Sequence, residues 1–171
     1  MPVPQPVIAT TYGVLAKVLT DLCYSNAAVK TVRIGPLSSV EMPYSDDPIT
    51  KNSYKYPYIH FVPQLATMNG RSTEFEFEMI VMDLAKDNLN LDITVHSETL
   101  EITRDILSKF VLTDWNQFRY NVKLPSTAVP FVENFQNSVA GWTTRFVVEA
   151  MTPLNLCDAP FITPNDFSPG N

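Results

Sequence analysis

Glycine is scarce in this chain, with five in 171 residues against fourteen prolines. Loops that cradle phosphate or expose a nucleophile lean on glycine, and neither Gly-x-x-x-x-Gly-Lys nor Gly-x-Ser-x-Gly occurs. Histidine is down to His60 and His96, and cysteine to Cys23 and Cys157, far apart and outside any Cys-x-x-Cys spacing. Zinc wants four such ligands, or three plus water, so these residues predict no zinc site. Reduced thiols and a cytoplasmic origin are the default expectation. No apolar run approaches the roughly 20 residues of a membrane span. Basic residues are outnumbered, 12 Lys and Arg against 18 Asp and Glu, for a net charge of −6. That balance argues against a nucleic-acid binder working by phosphate neutralisation. Met1-Pro2-Val3-Pro4-Gln5-Pro6 lacks a basic region followed by an apolar stretch, so no signal peptide is expected. These absences predict a protein that is not an enzyme, takes no cofactor or metal and does not enter a membrane.

What is present is globular: 45% apolar and 11% aromatic residues, in a length that predicts one domain able to bury a core. The organising stretch is Thr73 to Leu84. Phe75, Phe77, Met79 and Val81 alternate with Glu74, Glu76 and Glu78, the period-two signature of a strand with one apolar and one wet face. Ile80 and Met82 fall on the glutamate side, so the far end is apolar on both faces and is expected to be central in a sheet.

Around it the chain reads as alternating elements. Residues 1–7 are a proline-rich lead. Thr10 or Thr11 caps a helix to about Tyr24, with Val14, Leu15, Val18, Leu19 and Leu22 on one stripe. Val29 to Ile34 alternates as a strand, and 35–55 forms a loop longer than compact domains normally keep, which marks it as functional or disordered. Tyr56 to Val62 is a strand, with Pro57 at its start or on an edge and Pro63 closing it. Asn69-Gly70 turns it into the Thr73–Leu84 strand as an antiparallel neighbour. A second helix covers about 91–111 on Val95, Ile102, Ile106 and Phe110. Gln117 to Leu124 is a strand broken by Pro125, Pro130 to Phe135 a short strand, Gln136 to Gly141 a connection, and Trp142 to Met151 the closing strand. Two helices on one face of a mainly antiparallel sheet make an α+β two-layer domain over 1–157, followed by an extended proline-rich arm, 158–171.

The other sheet face carries Glu74, Glu76 and Glu78 with Arg119, Lys123 and Arg145. One reading is solvated cross-strand ion pairs; the other is a surface facing a second subunit or a lumen. Asp46 and Asp47 make the long loop acidic, and loop solvation explains them better than a metal shared with Asp83. Met42, Pro43 and Tyr44 in that loop, and Phe161 and Phe167 in the arm, are candidate contacts between subunits. His60 is expected to be a structural histidine within its strand, and His96 a solvated one near the start of the second helix.

Several of these pieces resemble the tail-terminator and tail-completion proteins of bacteriophages and related head–tail ring components. They are the helix at 10–24, Tyr56-Pro57-Tyr58-Ile59, the Phe75-to-Asp83 strand ending Val-Met-Asp, the helix at 91–111, and Asn134 to Glu149 with its Val139-Ala140-Gly141-Trp142 start. The last is similar to tail proteins of phages of Bacteroidetes, including the crAss-like group. The resemblance spans about 10–155 and rests on structural motifs. It implies a small α+β subunit of a homo-oligomeric ring, hexamer or dodecamer, made in the host cytoplasm and built into the virion neck or tail. Neighbouring neck or tail proteins would be its partners, and DNA would pass through the lumen without specific binding. No catalytic residue is implied. The long 35–55 loop and the proline-rich end depart from the pattern. A soluble binding module or assembly chaperone is the alternative from another class, and a small enzyme with scattered site residues a third.

Overall fold

The computed structural model describes residues 12–36, 55–85, 93–112, 120–134 and 138–151. Their order is α1 (Tyr12–Tyr24), β1 (Thr31–Ile34), β2 (Tyr58–Met68), β3 (Thr73–Leu84), α2 (Ile93–Leu112), β4 (Tyr120–Asn134) and β5 (Ser138–Ala150). The strands form one sheet in the order β1-β2-β3-β5-β4, antiparallel throughout except for the β1–β2 pair. The alternating stretch is therefore the middle strand. It pairs along its whole length with β5, Thr73 against Ala150 through Leu84 against Val139.

Both helices bury their apolar stripes in one cluster. Leu15, Leu19 and Leu22 of α1 and Ile102, Ile106 and Phe110 of α2 join Phe61, Phe77, Met79, Val81, Phe146 and Val148 of the sheet. Phe77 is the hub. It stacks on Phe146 at 5.8 Å and on Tyr12 at 6.2 Å, and meets the edge of Phe61 at 6.4 Å. Helices on one face of this sheet make the domain α+β, as the alternation requires. A smaller cluster of Tyr58, Met82 and Val139, with Ile80 and Phe131 against it, lies on the opposite face. This is the end of β3 that is apolar on both sides.

Asn69 N–H donates to the Ser72 carbonyl at 2.8 Å, closing the expected turn between the antiparallel β2 and β3. The two helices match the expected spans within the described residues.

Four strand boundaries differ from the sequence expectation. β1 is shorter, starting at Thr31. β2 does not close at Pro63 but runs to Met68. β1 covers only Tyr58 to Phe61, so from Val62 on β2 has one open side among the described residues, where a proline costs little. One extra residue at Gln64 makes a bulge: Pro63 opposes Phe77, but Leu65 opposes Glu76. The bulge reverses the alternation and delivers Leu65 to the glutamate side, 60% exposed. The two strands expected on either side of Pro125 are one strand, β4, with two extra residues between Lys123 and Thr127 where it passes Val147 to Arg145. β4 is an outermost strand, which again accommodates proline. β5 starts at Ser138, taking in four residues read as connection. The sheet thus has five strands, not six.

Gly141 shows why β5 extends that far. A β-carbon placed there would lie 1.9 Å from the Val81 carbonyl oxygen and 2.9 Å from the Met82 α-carbon. The β3 and β5 backbones approach as only glycine allows.

Candidate functional site

The wet face of the sheet is built by strand alternation on β3, β4 and β5. Glu74 lies opposite Glu149, Glu76 opposite Val147, and Glu78 opposite Arg145; on β4, Lys123 lies opposite Val147. Successive β3 carboxylates are about 7 Å apart at two residues per repeat. Lys123 Nζ donates to Glu74 Oε1 at 2.6 Å, and Asn69 Nδ2 donates to the same oxygen at 3.2 Å. At the other end Gln64 Nε2 donates to Glu78 Oε2 at 3.0 Å, with Arg145 Nε 3.9 Å from Glu78 Oε1. Ser72 Oγ donates to Glu149 Oε1 at 2.9 Å. Glu76, between the two ends, has no ion pair among the described residues.

The hydrogen bond to Glu74 is the main reason the Lys123 ammonium holds its proton more tightly than an ordinary lysine, and the Glu149 charge adds to it. The row is therefore partly neutralised within the sheet. Four carboxylates, Glu74, Glu76, Glu78 and Glu149, face two cations, Lys123 and Arg145. This patch keeps excess negative charge centred on Glu76. Such a surface repels phosphate weakly.

Of the candidate residues, Glu74, Glu76 and Glu78 are brought together as expected. Asp46, Asp47, Met42, Pro43, Tyr44, Phe161, Phe167 and Arg119 lie outside the described residues. So do the expected caps at Thr10 and Thr11, most of the 35–55 loop and the 158–171 arm. Among the described residues no three His, Cys, Asp or Glu side chains gather as metal ligands. No described helix is long and apolar enough to cross a membrane.

His60 is fully buried and holds two partners. Its Nδ1 is 3.0 Å from the Tyr58 hydroxyl and its Nε2 is 3.1 Å from the Gly35 carbonyl oxygen. A carbonyl only accepts, so Nε2 carries the proton and Tyr58 O–H donates to Nδ1. Burial lowers the pKa, opposed by the bonds to the Gly35 and Pro36 carbonyls. The neutral ring pins the residues just after β1 to β2, beside the Gly35 N–H bond to the Phe61 carbonyl at 3.0 Å.

His96 corrects the expectation of a solvated residue. It is buried, with its ring edge-on to Trp142 at 5.9 Å, and its carbonyl accepts Trp142 Nε1–H at 2.7 Å. The cover comes from β5, far away in sequence. Burial raises the Cys23 thiol to about 12, so it stays protonated and unreactive.

No protein-family model matches this chain, and no curated protein matches it.

Proposed function

We propose that the chain is a structural, non-enzymatic subunit of an oligomeric ring in a phage neck or tail, a tail terminator or head–tail connector surrounding the DNA channel. The observation that supports this reading is the unequal use of the sheet. Both helices cover one face, while the other presents a row of carboxylates only partly paired by Lys123 and Arg145. A subunit lining a channel needs this: a rigid wall whose residual negative charge keeps a polyanion moving. Among the described residues, the hydrogen-bonded His60 and the paired carboxylates serve structure and are not set beside a nucleophile. Virion location, hexameric or dodecameric stoichiometry and contact with neighbouring neck or tail proteins belong to the same proposal.

Imaging the virion with a label on this protein tests it. Density in a ring at the neck or tail supports the reading, and label confined to the capsid or absent from the particle overturns it. Light scattering on the purified chain adds the number of copies. A binding module or assembly chaperone is favoured by one feature, an open apolar groove beside α2.

A further inference from the structure

The sequence holds a single asparagine followed by glycine, Asn69-Gly70. Asparagine is a chemically labile side chain, and most so before glycine, which has no side chain to keep its own amide nitrogen from the carboxamide preceding it. The pair lies in the turn between Met68, the last residue of β2, and Thr73, the first of β3. Both residues are exposed. Asn69 N–H closes the turn on the Ser72 carbonyl, but the Gly70 N–H makes no hydrogen bond among the described residues. A helix or a strand ladder would occupy that nitrogen; here nothing competes for it.

The carboxamide is tied to the glutamate row as well as exposed. Asn69 Nδ2 donates to Glu74 Oε1 at 3.2 Å, the oxygen that also accepts Lys123 Nζ at 2.6 Å. A solvated bond at the long end of the N–H···O range restrains the side chain little. Gly70, for its part, has no packing role. A β-carbon there would meet nothing within 4 Å, and no described glycine has a positive φ. Neither space nor backbone conformation requires glycine at this position.

We propose that Asn69 is a self-modification site, which converts without an enzyme to aspartate and isoaspartate and so adds a negative charge to the wet face beside Glu74. The Gly70 amide nitrogen loses its proton to water and attacks Asn69 Cγ. The new N–Cγ bond closes a cyclic imide, the Cγ–Nδ2 bond breaks, and Nδ2 takes up a proton and leaves as ammonia. Water then adds to either imide carbonyl. Opening at Cγ gives aspartate; opening at the Asn69 backbone carbonyl gives isoaspartate, with the main chain rerouted through the side chain. The sum is one water consumed and one ammonia released, with no change of oxidation state. Glu74 loses the Nδ2 donor and gains a carboxylate neighbour in its place. That carboxylate joins Glu74, Glu76, Glu78 and Glu149 against the same two cations, Lys123 and Arg145. The wet face thus becomes more acidic as the molecule ages, whatever assembly it belongs to.

The test incubates the folded full chain at mildly alkaline pH, where an amide nitrogen gives up its proton more readily. Peptides are then mapped by mass spectrometry, with fragmentation that separates aspartate from isoaspartate. Conversion should appear at Asn69 before any other asparagine, with both products present. Its rate should lie within several-fold of that in the same chain unfolded by urea. Gly70→Ala, which the open space around residue 70 accommodates, should slow the conversion many-fold with circular dichroism unchanged. Asn69→Gln, whose longer side chain closes the ring far more slowly, should stop the later-eluting acidic form that the native chain develops on an anion exchanger. An Asn69 that stays intact in the folded chain while the unfolded chain converts overturns the inference, because the turn then protects it. Earlier conversion at another asparagine, or Gly70→Ala converting as fast as the native chain, overturns it as well.

Discussion

Single residues in this fold carry unequal weight, and neighbours on β3 show it. Phe77 is fully buried among three aromatic rings, and Phe77→Ala should cost about 3–5 kcal/mol through the cavity it leaves. Glu76, one residue away, points to the wet face, and Glu76→Ala should move stability by no more than about 0.5 kcal/mol. A urea titration of both variants checks the pair; similar losses would mean the strand faces are misassigned. Gly141→Ala should destabilise by about 1–3 kcal/mol or more, because the new methyl group meets backbone that has no rotamer to change. His60 makes stability depend on acid. Its folded pKa is lowered, so between that value and the unfolded value near 6.5 the unfolded chain binds more protons. The contribution is complete above about 6.5 and lost as pH falls through that value towards the folded pKa. Thermal melts should fall on acidification in that window, and His60→Gln should flatten that part of the profile.

At the scale of elements, legibility followed the range of the forces. β3 could be read because its alternation is a local pattern that either face of a sheet enforces. The helices could be read because their stripes recur at helical spacing. β4 could not, since Pro125 and Pro130 look alike in sequence whether they end a strand or sit in an outermost one. The reversal at Gln64 was hidden for a similar reason: nothing in Pro63-Gln64-Leu65 says that one residue will be left out of the ladder. His96 was misjudged because its cover, Trp142, comes from another strand. Of the glutamate row's partners, Lys123 and Arg145 were legible; the Gln64 and Asn69 contacts depend on register. The α2–β4 groove was missed, although Leu100, Arg104, Leu107 and Val111 recur every three or four residues beside the main stripe. Its second wall is Leu124 in the β4 insertion, where the sequence shows only a strand broken by Pro125. The ion pairs on the wet face are exposed, so molar salt should screen them with little change in the melting temperature.

For the whole molecule, the decisive prediction concerns DNA. If the wet face lines a channel, Glu74→Gln, Glu76→Gln and Glu78→Gln combined should assemble normally and slow or stall ejection, since the wall loses its repulsion. If the row only serves cross-strand pairing, the triple variant loses a little stability and ejection is unchanged. Ejection kinetics from purified particles decides between them. The two margins of the sheet have opposite polarity. Among the described residues β2 is open from Val62 to Met68 on one margin, and β4 is outermost on the other. β2 and β4 run in opposite directions, because three successive antiparallel pairings, β2 with β3, β3 with β5 and β5 with β4, separate them. A copy set beside another in the same orientation, without being turned over, therefore brings an upward strand against a downward one. Such a repeat extends the antiparallel pattern through rotation alone, the operation by which identical subunits close a circle.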